Sequence, residues 1–370
     1  MILHLSIFVV TILLIQDLAL NFLLTFNFKE FGEERFIENG LPQISILIPC
    51  RNEEGNLPKT LTSLDQLDYP KNKVQVILGN DNSSDASGEI LQNWSAKRQY
   101  SEFVEIQGHE ADSKMNGKAN ALSQMAKLAS GDILLFTDAD CEISPNWAMH
   151  MAQTWLRTKA GMITGITTVS GSRFFHKMQA LDWWLTLGMV KVMGDLGISV
   201  TSMGNNMLIS KEAYRAVGGF EGIPFSLTED FEIARQVEKK GFRNIHEVSL
   251  GNLVKTKAQS DFKKLLSQRK RWMHGAMTLP FVWKLILSVQ VLFFPAILGL
   301  IILHPFEGII LWLSKVLIQG FFIYRFASKT KTYLKILDFL SFEIYYLITA
   351  WSTIVYYFWP SKIDWKGRKY

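Results

Sequence analysis

Leu134-Leu135-Phe136-Thr137-Asp138-Ala139-Asp140-Cys141 is an apolar run that ends in two carboxylates one residue apart. A short apolar run of this kind reads as a buried strand, most readily in a parallel sheet. Side chains alternate along a strand, so Asp138 and Asp140 are expected to point the same way. Two like charges at a strand end repel unless a positive charge lies between them. A divalent cation carrying a diphosphate would supply that charge, because hard cations take carboxylate and phosphate oxygens. A surface turn, where Asp is common, accounts for the same two residues. The flanking segments have to separate the two readings.

Upstream, the chain repeats one pattern. Ile44 to Pro49 reads as a buried strand that breaks into the polar loop Cys50-Arg51-Asn52-Glu53-Glu54-Gly55-Asn56. A helix is expected from Leu57 to Leu67. Val74 to Gly79 is a second strand, ending in Asn80-Asp81-Asn82-Ser83-Ser84-Asp85, which is turn and N-cap chemistry. A helix over 86–98, a strand over 103–106 and a helix over 116–129 lead into the strand at 132–137. Strand, loop and helix thus alternate four times. That predicts an α/β fold, a Rossmann-like, mostly parallel sheet whose loops gather at the carboxyl ends of the strands. Ligands of such sheets bind at those ends, where Asp81 and Asp138 both fall.

Downstream the pattern changes. A helix is expected over 145–159 and a strand over 162–169. Arg173 to Gly197 is apolar and aromatic, with Trp183 and Trp184, but carries Lys177, Asp182, Lys191 and Asp195. It reads either as an amphipathic helix near a membrane or an acceptor, or as an ordinary core helix. Thr228-Glu229-Asp230 opens a helix. An N-cap Thr followed by acids that complement the helix dipole explains those residues structurally. Asp261 to about Met277 is a basic amphipathic helix in which Gln268, Arg271 and Trp272 stand at i, i+3 and i+4 and share a face. That face suits either headgroup contact at a membrane surface or a phosphate clamp.

The 370 residues carry a net charge of +5, and their apolar runs crowd the first 28 residues and everything after about Trp283. Basic residues cluster beside those runs, which favours an anionic membrane surface over nucleic acid. Ile2 to Phe26 is long enough to span a bilayer and lacks the features of a cleaved signal peptide. Asp17 and Asn21 inside it are expected to face another helix or the interface. Three further segments, 285–303, 306–326 and 339–358, are candidate spans, and Glu343 leaves the last one open between a span and a re-entrant helix. The basic loop Arg325 to Lys331 places a cytoplasmic face there by the positive-inside rule. The expected organisation is an anchor (1–28), a linker (29–43), a cytoplasmic α/β domain (44–260), an interfacial helix (261–280), membrane segments (285–358) and a basic tail (359–370). Cys50 and Cys141, the two cysteines, suit a reducing compartment and form no metal-ligand pattern.

Asp138-Ala139-Asp140, then Thr228-Glu229-Asp230, then Gln268-x-x-Arg271-Trp272 ahead of apolar spans together resemble the membrane-bound family-2 glycosyltransferases. Cellulose and hyaluronan synthases and ceramide- or hopanoid-type lipid glycosyltransferases are of that kind. The resemblance runs from Ile44 to about Gly275 and extends loosely to Trp365-Lys366-Gly367-Arg368. It implies a GT-A fold, a nucleotide-diphosphate sugar donor (a UDP-sugar), Mg²⁺ or Mn²⁺, and inversion at the anomeric centre. Carried over residue by residue, Pro49, Arg51, Glu53 and Asp81 would lie by the nucleotide and Lys118 near the diphosphate. Asp138 and Asp140 would form the metal motif, with Asp140 the direct ligand. Asp230 would be the base, with Glu229 beside it. Gln268, Arg271 and Trp272 would clamp phosphate and acceptor, and Gly204 to Met207 would form the acceptor-side loop. Asn80 departs from the family's acidic pair and leaves Asp81 as the base-reading carboxylate. A lipid or lipid-linked glycan is the expected acceptor. A processive polysaccharide synthase is the alternative within the class. A sugar nucleotidyltransferase would want a Gly-rich phosphate loop after the first strand, and a non-catalytic scaffold would not need the intact acidic and Arg-Trp motifs.

Overall fold

The computed structural model describes residues 2–31, 40–108 and 114–369. Gly32 and most of the expected linker lie outside the described residues. In chain order the elements begin with α1 (Ile2–Phe26), β1 (Ile44–Cys50), α2 (Leu57–Asp65), β2 (Val74–Asn80), α3 (Ser87–Ser95) and β3 (Ser101–Glu105). They continue with α4 (Gly117–Leu128), β4 (Ile133–Thr137), β5 (Cys141–Glu142), α5 (Trp147–Thr158), β6 (Met162–Thr164), β7 (Thr167–Ser170) and α6 (Phe174–Asp195). Then follow β8 (Asn206–Ser210), α7 (Lys211–Ala216), α8 (Glu229–Lys239), β9 (Asn244–His246), β10 (Val254–Lys257) and α9 (Phe262–Ala276). The chain closes with α10 (Phe281–Leu303), α11 (Pro305–Ser328), α12 (Ile336–Phe358) and a short hairpin, β11 (Asp364–Trp365) and β12 (Arg368–Lys369).

The chain divides into two compact units that interleave in sequence. Residues 30–168, 193–257 and 364–370 form an α/β unit, and residues 1–29, 169–192 and 258–363 form a helical one. In the α/β unit, seven strands pair in the order β3-β2-β1-β4-β8-β6-β9. β3, β2, β1 and β4 are parallel, β8 is antiparallel to both its neighbours, and β6 and β9 are again parallel. The alternation read from the sequence sets two cores. Ile44, Ile46 and Ile48 of β1 and Ile133 and Leu135 of β4 pack on one face with Leu57, Leu91 and Trp147 from α2, α3 and α5. Leu47, Leu134 and Phe136 turn to the other face and meet Leu122, Met125, Ala213 and Ile233 from α4, α7 and α8. Burying each such side chain is worth about 1.5–3 kcal/mol, so the central strands are fixed from both sides. Pro49 is tolerated in a central strand because β4 pairs with β1 only as far as Leu47, which leaves Pro49 opposite Gly79 of β2.

One expected strand splits. The segment 162–169 is broken into β6 and β7 because Gly165 donates its N–H to the Asn206 carbonyl at 2.8 Å while the Asn206 side chain binds the Ile166 carbonyl at 2.8 Å.

In the helical unit, α1, α10 and α11 are long and apolar enough to cross a membrane. Val10 and Leu13 of α1 pack on Phe293, Ile297 and Leu300 of α10. Their outer faces leave Phe8, Phe22, Phe281 and Leu317 exposed, a distribution that suits an apolar surrounding. Asp17 meets Lys315 of α11 at 2.5 Å and Asn21 donates to the Ile318 carbonyl at 3.0 Å, so the polar residues of α1 face another helix. Glu343 likewise has a partner within the unit: with its amide turned over, Gln319 donates to Glu343 at 2.9 Å and accepts from Lys315 at 3.0 Å. Its charge is therefore explained by a partner rather than by a break in α12, which is continuous over 23 residues.

Candidate active site

The loops after β1 and β2 are stitched together. Asn52 and Asn82 each take left-handed backbone, with φ of 53° and 51°, which Asn tolerates better than most residues. Asn52 accepts from the Ser84 N–H at 2.8 Å, and Glu54 accepts from the Ala86 N–H at 3.0 Å. Arg51 donates to the carbonyls of Asp81 at 2.7 Å and Asn82 at 3.1 Å. Glu53 and Asp81 thereby lie in joined loops at the carboxyl ends of adjacent parallel strands, and both are buried. Asn80 is spent on Glu105, donating to both its oxygens at 3.0 and 2.9 Å. It braces β3 and leaves Asp81 as the acid facing the site.

The opening motif departs from the strand reading. β4 stops at Thr137, and Asp138 to Asp140 form a turn in which the Cys141 N–H binds the Asp138 carbonyl at 3.1 Å. Strand alternation therefore does not set the directions of the two carboxylates. Asp138 pairs with Lys118 at 2.5 Å. Asp140 is pushed up to about 6 by burial, then by the nearby charges of Asp138 and Glu53. Such a carboxylate is short of positive charge.

Lys118 is the hub of this half of the site. It projects from the first turn of α4, whose N-cap is Asn116, with the Asn116 side chain accepting from the Ala119 N–H. The same Asn116 donates to Glu229 at 2.9 Å, and Lys118 lies 3.6 Å from the other Glu229 oxygen. Burial works against the Lys118 ammonium, but Asp138, Glu229 and Asp230 outweigh it and hold its pKa above the usual lysine value. Of the neighbouring acids, Glu229 is thus a buried brace for Asn116 and Lys118. Asp230 is half-buried and accepts from the Gly204 N–H at 2.7 Å and the Phe231 N–H at 2.9 Å. A Cβ at Gly204 would lie 3.0 Å from the Asp230 Cβ and crowd it, so glycine lets the 204–207 loop approach closely with its backbone.

Pro49, Arg51, Glu53, Asp81, Lys118, Asp138, Asp140, Glu229 and Asp230 all belong to the α/β unit. Gln268, Arg271 and Trp272 belong to the helical unit, on α9. There Trp272 stacks edge-on to Trp183 at 5.7 Å. Arg269 pairs with the buried Asp182, and Lys270 donates to the carbonyls of Trp359 at 2.8 Å and Ser361 at 3.0 Å. Both cysteines are buried thiols, with Cys50 pushed up to about 12 by burial and Cys141 raised for the same reason. Neither is poised as a nucleophile or a thiolate ligand.

Among the described residues no three His, Cys, Asp or Glu side chains form a ready-made metal cage. The carboxylates do fit a hard cation that keeps other ligands, as Mg²⁺ does with substrate phosphates. Asp138, Asp140 and Glu53 act on one another electrostatically, and the Lys366 ammonium lies 2.6 Å from Glu53 with Asp140 and Asp138 in its field. A cation is therefore already accommodated at this place.

The profile of glycosyl transferase family 21 matches residues 5–370. The chain belongs to glycosyl transferase family 21. It is 25% identical over 244 residues to the beta-monoglucosyldiacylglycerol synthase of Trichormus variabilis, covering 65% of this chain and 50% of that one. It is 26% identical over 316 residues to the poly-beta-1,6-N-acetyl-D-glucosamine synthase of Staphylococcus epidermidis, covering 80% of this chain and 73% of that one. The chain thus spans about half the length of the glucolipid synthase it matches. A mannosyltransferase from Pyrobaculum calidifontis, solved with GDP-Man and Mn²⁺, shares the fold, with a TM-score of 0.59 at 14% identity over 97% of this chain and 99% of that one. The family match bears out the membrane-bound glycosyltransferase resemblance read from the sequence, and the likeness to the mannosyltransferase bears out the GT-A-like fold.

Sequence reasoning missed Asn116 as an organiser, although an Asn three residues before an apolar helical run is an N-cap signal. It also missed the terminal hairpin on Glu53 and Asp81. Pairings across roughly 290–315 residues of chain leave no local signal.

Proposed function

We propose that this protein is an inverting glycosyltransferase that moves one sugar from a nucleoside diphosphate donor, a UDP-sugar, to a hydroxyl of a membrane lipid or lipid-linked glycan. The observation that carries the reading is the convergence of Glu53, Asp81, Asp138 and Asp140 at the carboxyl ends of β1, β2 and β4, with Lys118 and Asp230 beside them. Mg²⁺ or Mn²⁺ held by Asp140 and Asp138 would stabilise charge on the leaving diphosphate. Asp81 would accept hydrogen bonds from the base, with Pro49 and Arg51 shaping the loop around it. The Lys118 ammonium would face the diphosphate, and its surplus of carboxylate neighbours keeps it charged. Asp230 would take the proton of the attacking hydroxyl. One base and one leaving group make a single displacement, which inverts the anomeric carbon. Gln268, Arg271 and Trp272 would bind phosphate and acceptor, and Glu229 would hold Asn116 and Lys118 in place.

The lipid acceptor is supported by the apolar helices and by a small cleft in the helical unit, lined by Leu13, Leu185, Met189 and Phe293 with Asp17 and Lys315. A largely apolar wall with a few polar groups suits a lipid bearing a hydroxyl. The chain would be a multi-pass protein of the cell's inner membrane, with the α/β unit cytoplasmic on the side of Arg325 to Lys331. Incubation of purified protein with UDP-sugars, GDP-mannose, Mn²⁺ and extracted lipids, followed by mass spectrometry, tests the reading. A lipid one hexose or N-acetylhexosamine heavier is expected. A ladder of sugars instead would favour the polysaccharide reading, which the similarity to the staphylococcal synthase supports.

A further inference from the structure

β11 and β12 form a hairpin in which Trp365 stands opposite Arg368. Its two turn residues, Lys366 and Gly367, have φ of 50° and 82°. Two positive φ values in a two-residue loop are the signature of a type I′ turn, which Gly adopts freely and Lys does not. So short a ribbon has little stability of its own. Its polar anchors lie elsewhere. Arg368 donates to both oxygens of Asp81, at 2.5 and 2.8 Å. Lys366 pairs with Glu53 at 2.6 Å, and its carbonyl accepts from Arg51 Nε at 3.0 Å. The Arg368 guanidinium also lies against Gly117, where any side chain would overlap it. These contacts fall on Arg51, Glu53 and Asp81, three residues marked for the donor, and on the neighbour of Lys118.

We propose that the terminal hairpin is an intramolecular occupant of the donor seat, so that docking of the hairpin and loading of metal and nucleotide exclude each other. The inference rests on the donor-seat reading given under the proposed function. Both Asp81 oxygens are taken by a bidentate guanidinium pair, the strong form of such contacts, and cannot at the same time read a base. The Lys366 ammonium pairs with Glu53 at 2.6 Å and feels the charges of Asp140 and Asp138, so it supplies positive charge where a divalent cation would be needed. Lys366 and Arg368 together bring two positive charges, the same as one Mg²⁺ or Mn²⁺, so exchanging the hairpin for the metal leaves the charge of the carboxylate cluster balanced. Without either, four carboxylates at three strand ends would face one another with Lys118 as their main relief. A tethered occupant returns readily, because its effective concentration is set by the chain rather than by bulk solution.

Hydrogen exchange and calorimetry on the full chain in detergent test this, with Mn²⁺ plus UDP and Mn²⁺ plus GDP as probes. Residues 364–370 are expected to be protected in the free protein and to exchange faster on adding the nucleotide that binds. Arg368→Ala is expected to release the hairpin without ligand and to tighten Mn²⁺–nucleotide binding about tenfold, by raising the fraction of competent protein. Gly117→Ala, which removes no charge, is expected to release the hairpin as well. Nucleotide binding with the hairpin still protected, or weaker binding by Arg368→Ala, would overturn the proposal while leaving the donor seat intact. Failure of both nucleotides to bind either protein would overturn the donor-seat reading, and the proposal with it.

Discussion

The acidic site has two halves that are held in different ways. Asp138, Glu229 and Asp230 are held by Lys118, Asn116 and the Gly204 backbone, all rooted in α4 or in the loop entering β8. Glu53 and Asp81 are held by Lys366 and Arg368, on a hairpin at the chain terminus. The first set of partners is part of the folded core and stays. The second set is the one that the proposed exchange with metal and nucleotide would displace. A transferase needs both properties. The atoms that bear the developing charge and take the proton must be preorganised, whereas the part that admits and releases a nucleotide must open.

The contrast can be broken by mutation, and the largest effect is expected at the metal motif. Asp140→Ala should lower sugar transfer by at least about a hundredfold, the scale lost when a charge-stabilising group is removed. Activity of the wild type should disappear in excess chelator and return with Mn²⁺, which a transfer assay checks. Lys118→Met should destabilise the protein by on the order of 3 kcal/mol, because it leaves Glu229 and Asp138 without their buried counter-charge. Arg368→Ala should cost clearly less, since water can then reach Asp81 and screen the carboxylates it leaves behind. Comparable losses of stability in the two variants, measured by differential scanning fluorimetry, would erase the distinction between the halves.

A smaller effect separates the metal-free and loaded states. The Asp140 carboxyl is pushed up to about 6 from its ordinary 3.8 by burial and by the charges of Asp138 and Glu53. Between those values the folded protein binds more protons than the unfolded chain, so stability falls as pH rises through that window and the loss is complete above about 6. Mn²⁺ should remove this loss, and Asp140→Asn should abolish it, raising the melting temperature of the metal-free protein at pH 7. An unchanged pH profile in Asp140→Asn would assign the effect elsewhere.

Most of the α/β unit was legible because its central strands are buried on both faces. Runs such as Ile44–Ile48 and Ile133–Phe136 declare themselves, and the polar loops that follow them mark the binding edge. The turn at Asp138–Asp140 was not legible as a turn, because Thr137-Asp138 continues a strand pattern until tertiary contacts end it. The break at Gly165 depends on Asn206, a neighbour in space only. The different fates of Glu229 and Asp230 were also hidden. Adjacent residues in a first helical turn look alike until Asn116 and Lys118 arrive to claim one of them. Arg269 and Lys270 sit inside the basic run of α9, yet Asp182 and the carbonyls of Trp359 and Ser361 make them structural, which no periodicity distinguishes from Arg271.

Asp230 carries the central claim, and its isosteric substitution tests that claim most directly. Asp230→Asn keeps the shape and can still accept from the Gly204 N–H, but it cannot take a proton from an acceptor hydroxyl. Donor binding by calorimetry and sugar transfer by mass spectrometry should be measured on the same preparation. The expected result is wild-type affinity for Mn²⁺–nucleotide with transfer reduced about 10²–10⁴-fold, the range of positioned acid–base help. Near-normal transfer by Asp230→Asn would contradict the assignment of the base and the single-displacement chemistry built on it.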